Sequence, residues 1–169
     1  MREKIYDTTA HPAAAPVQRD LLFVASNWTS PSFDIWEEES GDHFYNRLVQ
    51  RRALIVGSSF ATRMGDQQTS KILKTAADAL SGTIGSFWDV QRNLIMYENG
   101  PVLYNKTSYI DVAVVLGVLH GYAGDGIFGY TDDRVLATAH QIATSFIPVY
   151  GVANTTHDSN GAVLGIPVG

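Results

Sequence analysis

The chain has 169 residues, of which 45% are hydrophobic and 17% charged, with a net charge of -5. This is a globular composition, long enough for one domain with a real core, and it excludes a disordered chain. The lack of cysteine excludes disulfides and thiolate metal sites, no Lys/Arg cluster is long enough to follow a phosphate backbone, and no apolar run approaches the roughly 18 residues of a membrane span.

Residues 1–16, with Pro12, Pro16 and a run of alanines, read as an extension or linker. They hold no apolar stretch of the kind a signal peptide needs. Leu21, Leu22, Ala25 and Trp28 recur at helical spacing and predict a helix from Val17 that ends before Pro31. Asp34 and Glu37 stand at the capping-box spacing, so the acids after Phe33 read as the start of a helix. The body of that helix is expected from about Asp42 to Met64. Tyr45, Val49, Arg52, Val56 and Phe60 form its stripe, Phe44, Leu48 and Ile55 widen it, and Gly65 stops it. A further helix is expected over Thr69–Leu80, with Ile72, Leu73, Ala76 and Leu80 inward.

The period then changes. FWDVQRNLIMYENGPVLY is rich in β-branched and aromatic residues and carries an Asn99-Gly100-Pro101 turn signal, which predicts short extended segments or a small hairpin. SYIDVAVVLGVLHGY predicts a mostly apolar, buried helix in which His120 is a hydrogen-bonded core residue. Thr131 or Asp132 caps a last helix running to about Phe146, near Pro148. The terminal run AVLGIPVG is apolar and unpunctuated, which reads as a chain that continues.

The chemistry concentrates in FDIWEEESGDHF, where Asp34, Glu37, Glu38, Glu39 and Asp42 surround Trp36. One reading is helix capping, with acids complementing the dipole. The other places Asp34, Glu37 and Glu38 on one helical face, where crowding keeps a proton on one carboxyl for general-acid chemistry. An indole beside them offers a flat surface to a sugar ring. Arg51 and Arg52 are either partners of these acids or ordinary surface charges. The five histidines show no metal-ligand spacing, and GDGIFG lacks the features of a phosphate loop. Asp125, Asp132 and Asp133 do not fit a calcium loop. Sequons at Asn27, Asn105 and Asn154 are compatible with secretion.

Three stretches between Asp20 and Ala61 occur in one order. They are DLLFVASNW, the box DIWEE, and FYNRLVQRRALIVGSSFA. Together they resemble the fungal and yeast glucoamylases, inverting exo-acting α-glucosidases. The resemblance extends over about residues 17–169 and implies an all-α fold, part of an (α/α)6 barrel of about five helices with a short β-hairpin insertion. It places the general acid on Glu37 and a supporting acid on Asp34. It also places substrate contacts on Trp36, Glu38 and the backbone of Ile35. An α-glucan or maltooligosaccharide is the implied partner and no metal or cofactor is expected. Nucleic acid and membrane are not expected as partners. The complete protein would be a monomer, secreted or vacuolar.

The family's general base and an Arg-Tyr-Pro-Glu-Asp box would lie beyond Gly169, and an Arg-Asp pair would precede residue 1. The sequence is therefore expected to be a middle portion of a catalytic domain. The alternative is a truncated, catalytically incompetent form or pseudo-enzyme, at most a carbohydrate-binding helical module.

Overall fold

A computed structural model describes residues 16–100, 108–151 and 155–162. Among them are five α-helices: α1 Pro16–Asn27, α2 Phe44–Arg63, α3 Gln67–Thr83, α4 Ala113–Gly121 and α5 Asp133–Phe146. Two short antiparallel hairpins complete the set. β1 (Ser32–Phe33) pairs with β2 (Ser40–Gly41), and β3 (Trp88–Asp89) pairs with β4 (Leu94–Ile95).

The helix signals act where the sequence puts them. Pro16 takes the first position of α1, where its missing N–H is no loss. Asp66 caps α3 by accepting from the Thr69 amide at 2.9 Å, and Asp132 caps α5 through the Arg134 amide at 2.9 Å. Gly65, at φ +84°, closes the α2–α3 corner in the left-handed region. The β3–β4 hairpin lies inside the expected segment but turns between Asp89 and Leu94, not at the Asn99-Gly100-Pro101 signal.

Helix α2 is the spine. Its buried face is Phe44, Leu48, Leu54 and Ala61, together with Arg47 and Arg51. The expected stripe was rotated from this one, since Val56 and Arg52 are exposed. The cause is a polar burial that hydropathy does not see. Arg47 pairs with Asp42, and Arg51 pairs with Asp125 and donates to Ser81 Oγ at 2.7 Å. Each buried arginine meets a counter-charge that keeps contact with solvent. In α3, Leu73, Ala76, Ala77 and Leu80 face the core while Ile72 is 43% exposed. Phe44 anchors the centre, edge-on to Phe87 at 5.6 Å and to Phe128 at 5.2 Å between ring centroids.

Helix α4 is buried on one side only. Its Ala113, Val114, Gly117, Val118 and Gly121 are inward, whereas Leu119 and His120 are exposed. His120 is therefore not a core residue; its Nδ1 pairs with the Tyr45 hydroxyl at 3.2 Å on the surface. The inward face is built of small residues because the backbones of α2 and α4 nearly touch. A Cβ on Gly121 would lie 2.7 Å from the Leu48 carbonyl carbon. Helix α5 grips the second hairpin, with Thr138 Oγ1 accepting from the Ile95 amide at 2.8 Å.

This contact gives a direct test in the full encoded chain. Gly121→Ala forces α4 off α2 and should cost about 2–3 kcal/mol, lowering the thermal midpoint by roughly 4–12 °C. Gly82→Ala is the control. It meets nothing within 4 Å and sits inside α3, so it should stabilise by about 0.5–1 kcal/mol. Thermal unfolding of both variants reads the difference.

Candidate functional site

The acid box is not the first turn of a helix. β1 and β2 pair Ser32 with Gly41 and Phe33 with Ser40, and the Asp34 amide donates to the Glu39 carbonyl at 2.9 Å. Ile35, Trp36, Glu37 and Glu38 are thus the tip of a hairpin, and α2 begins only after His43. Asp34 and Glu37 do show the spacing of a cap, but the capped object is a tight turn. The Asp34 carboxylate accepts from the Glu38 amide at 2.7 Å and from the Glu39 amide at 3.3 Å. The Glu37 amide donates to the Asp34 carbonyl at 3.2 Å. One buried aspartate therefore gathers three backbone amides of its own loop, the local bonding that Asp favours in turns.

The tip residues differ in setting. Asp34 is 7% exposed, and Glu37 and Glu38 are exposed. Glu37 has φ +59°, a left-handed conformation that costs a glutamate about 1 kcal/mol or more. Trp36 is 45% exposed, yet its indole N–H is held by the Asp111 carboxylate, 3.1 and 3.2 Å away. Ile35 is half-buried beside it. Asp34, Glu37 and Glu38 do not share a helical face, and the acids that crowd together below the loop are a different set.

That set is Asp34, Glu39, Glu98 and Asp111, all buried. The Tyr97 hydroxyl donates to Glu39 Oε2 at 2.9 Å, and the His43 ring, stacked near Tyr97, donates from Nε2 to the Glu39 carbonyl at 3.1 Å. His43 and Glu98 form an isolated antiparallel bridge, and the Phe44 amide donates to the Tyr97 carbonyl at 2.9 Å. Residues 97–99 thereby become a third strip of backbone behind the loop. Burial, and next the Glu39 carboxylate, push the Glu98 carboxyl up from its ordinary value. Burial and the hydrogen bond to Glu39 likewise push the Tyr97 phenol far up, so it remains a donor.

Two α2 side chains fix the hairpin from below. Asn46 Nδ2 donates to Ser32 Oγ at 2.9 Å and to the Phe33 carbonyl at 2.7 Å. Arg47 pairs with Asp42 just past β2 and lies over the ring of Trp28, the residue after α1, 5.5 Å from its centroid. Neither Arg51 nor Arg52 serves the acid box. Arg51 binds Asp125, and Arg52 Nη1 donates to the His120 carbonyl at 3.0 Å. Burial raises the Asp125 carboxyl, but the Arg51 hydrogen bond and the Ile127 amide more than reverse this and hold it below its ordinary value. Asp125 is thus the counter-ion of Arg51. Among the described residues, no group of His, Asp and Glu is placed to hold a metal ion.

Sequence reasoning missed Asn46, Tyr97, Glu98 and Asp111, and it counted Glu39 in the acid cluster without a role. Short polar residues flanking the acids, Ser32 on one side and Ser40-Gly41 on the other, were the available hairpin signal. Nothing local links Trp36 to Asp111, 75 positions away.

Two stability predictions follow from the strain and the buried charge. Glu98 has a folded-state pKa above its unfolded value, so its contribution is full at low pH and is lost as pH rises through the folded pKa. Glu98→Gln should therefore leave acid stability unchanged and raise the neutral-pH midpoint, by roughly 2–4 °C for each kcal/mol relieved. Denaturation curves of both proteins across pH 4–8 check the sign. Glu37→Asn relieves the left-handed backbone and should stabilise by about 1 kcal/mol in the same assay.

With this geometry in place, comparison with known proteins is specific. The sequence profile described as glycosyl hydrolases family 15 matches residues 2–165. A "Glucoamylase" of Blastobotrys adeninivorans is 60% identical over all 169 residues, which cover 100% of this chain and 27% of that protein. "Glucoamylase 1" of Rhizopus oryzae is 32% identical over 79% of this chain and 22% of its own. The solved glucoamylase of Saccharomycopsis fibuligera superposes with a TM-score of 0.75 at 25% identity, over 89% of this chain and 32% of that one. The chain therefore spans about a quarter of the length of these curated relatives. Its helices and hairpins are part of the (α/α)6 barrel that glucoamylases form. The chain belongs to glycosyl hydrolases family 15.

Proposed function

We propose that the full encoded chain releases glucose from the non-reducing ends of α-1,4-glucans and maltooligosaccharides with inversion, and that the loop at residues 34–38 is its acid side. The observation that carries this reading is one pinned turn presenting an exposed carboxyl, Glu37, next to a half-exposed indole, Trp36, whose edge is fixed. A glycosidase needs an acid aimed at the glycosidic oxygen and a surface that holds the ring beside it.

Glu37 donates its proton to the departing glycosidic oxygen. Trp36 gives the terminal glucose a flat apolar face, Glu38 accepts from its hydroxyls, and the Ile35 backbone lines the same edge. Asp34 acts through the loop. By binding the Glu38 and Glu39 amides it keeps Glu37 in a conformation that a free chain would leave. Inversion requires a second carboxylate roughly 6.5–9.5 Å from the acid to activate water on the opposite face, and another part of the encoded chain supplies it. The protein acts as a monomer on a soluble glucan, without nucleic acid, membrane or cofactor. It is secreted or vacuolar, a reading supported by the exposed Asn27 of an Asn-Trp-Thr sequon at the end of α1.

Glu37→Gln in the full encoded chain should lower kcat for glucose release from maltose or soluble starch by about 10²-fold or more, with KM changed far less. Turnover at the wild-type rate would remove Glu37 from the acid role. A chain that binds maltooligosaccharide but never turns it over, with or without this substitution, would favour the binding-module reading.

A further inference from the structure

The indole of Trp36, at the loop tip, has its orientation set from outside the loop. Its Nε1–H points at Asp111, with Oδ1 at 3.1 Å and Oδ2 at 3.2 Å. Asp111 is 4% exposed and is itself fixed. Its Oδ1 accepts from the Ala113 amide at 2.7 Å, and its carbonyl accepts from the Val114 amide at 3.2 Å. The carboxylate therefore has two duties, starting α4 and holding the ring of a residue 75 positions earlier.

We propose that Asp111 is a positioning residue for substrate binding, acting through Trp36. This rests on the reading of Trp36 as the sugar-facing surface. A tryptophan at a hairpin tip, 45% exposed, has two side-chain torsions free to wander. A charge-assisted hydrogen bond to its edge removes that freedom before the sugar arrives. The negative charge behind the pyrrole edge also polarises the ring, making the face that would meet the sugar's C–H groups more electron-rich. A neutral acceptor would fix the ring less firmly and polarise it less.

Asparagine separates the two duties. It caps helices as well as aspartate does, so Asp111→Asn keeps the start of α4 but loses the charge and one acceptor oxygen. In the full encoded chain, Asp111→Asn should keep a near-wild-type thermal midpoint, raise KM for maltose and maltotriose about tenfold, and change kcat much less. In a Trp36→Phe background, where no indole N–H remains, the same substitution should leave KM within about twofold. The Trp36 indole N–H resonance in a 15N-labelled protein should move upfield in Asp111→Asn.

An unchanged KM in Asp111→Asn, an equal rise in KM with and without the indole, or an unmoved indole resonance would each overturn the proposal. A Trp36→Phe chain with wild-type KM would overturn the reading of Trp36 itself. The indole resonance is read without substrate, so it tells that failure apart from a failure of Asp111 to hold the ring.

Discussion

The site depends on the closure of one turn by one side chain. Asp34 gives its amide to the Glu39 carbonyl, its carbonyl to the Glu37 amide and its carboxylate to the amides of Glu38 and Glu39. A loop of acidic residues has every electrostatic reason to open, since its charges repel and its amides can be satisfied by water. Anchoring the amides on a buried carboxylate removes that option. Glu37 is then forced into a left-handed backbone that it would not choose. The strain is the consequence of aiming the loop, and it is sustained because the flanking strands and Asn46 hold both ends.

The helices were legible because their signals are local. Asp132 starts α5 as expected, α1 and α3 begin at Pro16 and Gln67, slightly ahead of the expected Val17 and Thr69, and the aromatic stretch from Phe87 contains a hairpin. The acid box misled because Asp followed three residues later by Glu has two solutions. It satisfies amides in a helix start and equally in a tight turn, and only the pairing of Phe33 with Ser40 decides between them. The face of α2 misled because hydropathy counts Arg47 and Arg51 as outward, whereas both are buried and meet Asp42 and Asp125 at the edge of the core. His120 misled because an apolar neighbourhood in sequence is not one in space; half of α4 faces away from α2. Residues 1–15, the sequons at Asn105 and Asn154, and the terminal run from 163 lie outside the described residues.

Beneath the loop the chain accepts an electrostatic burden. Glu39 and Glu98 are buried side by side, and Glu39 Oε1 and Glu98 Oε2 have no hydrogen-bond partner among the described residues. A purely structural core would replace such a pair with apolar residues at little loss. Here the acids lie against the one segment, residues 97–99, that backs the loop through the His43–Glu98 bridge. Burial, and next the Glu39 carboxylate, raise the Glu98 carboxyl, so its contribution to stability fades as pH rises through the folded-state value. Asp125 and Asp132 pull the other way. Their pKa values are lowered by Arg51 and Arg134, so their contributions fade as pH falls through the folded-state values. The two groups therefore give stability opposite slopes against pH.

Rigidity at the loop tip also depends on how two helices pack against each other away from it. α4 approaches α2 closely enough that Gly117 and Gly121 have no room for a side chain, their missing Cβ atoms falling 3.1 Å from Tyr45 Cα and 2.7 Å from the Leu48 carbonyl carbon. Packing that tight leaves one relative position for the two helices. α2 carries Asn46, which holds β1, and the start of α4 carries Asp111, which holds Trp36. The loop is consequently gripped on two sides by elements whose spacing is fixed elsewhere. A shift of α4 by a fraction of an ångström would reach the indole through Asp111 before it reached any other tip residue. The small residues of α4 are therefore as much a part of the site's geometry as the acids that face solvent.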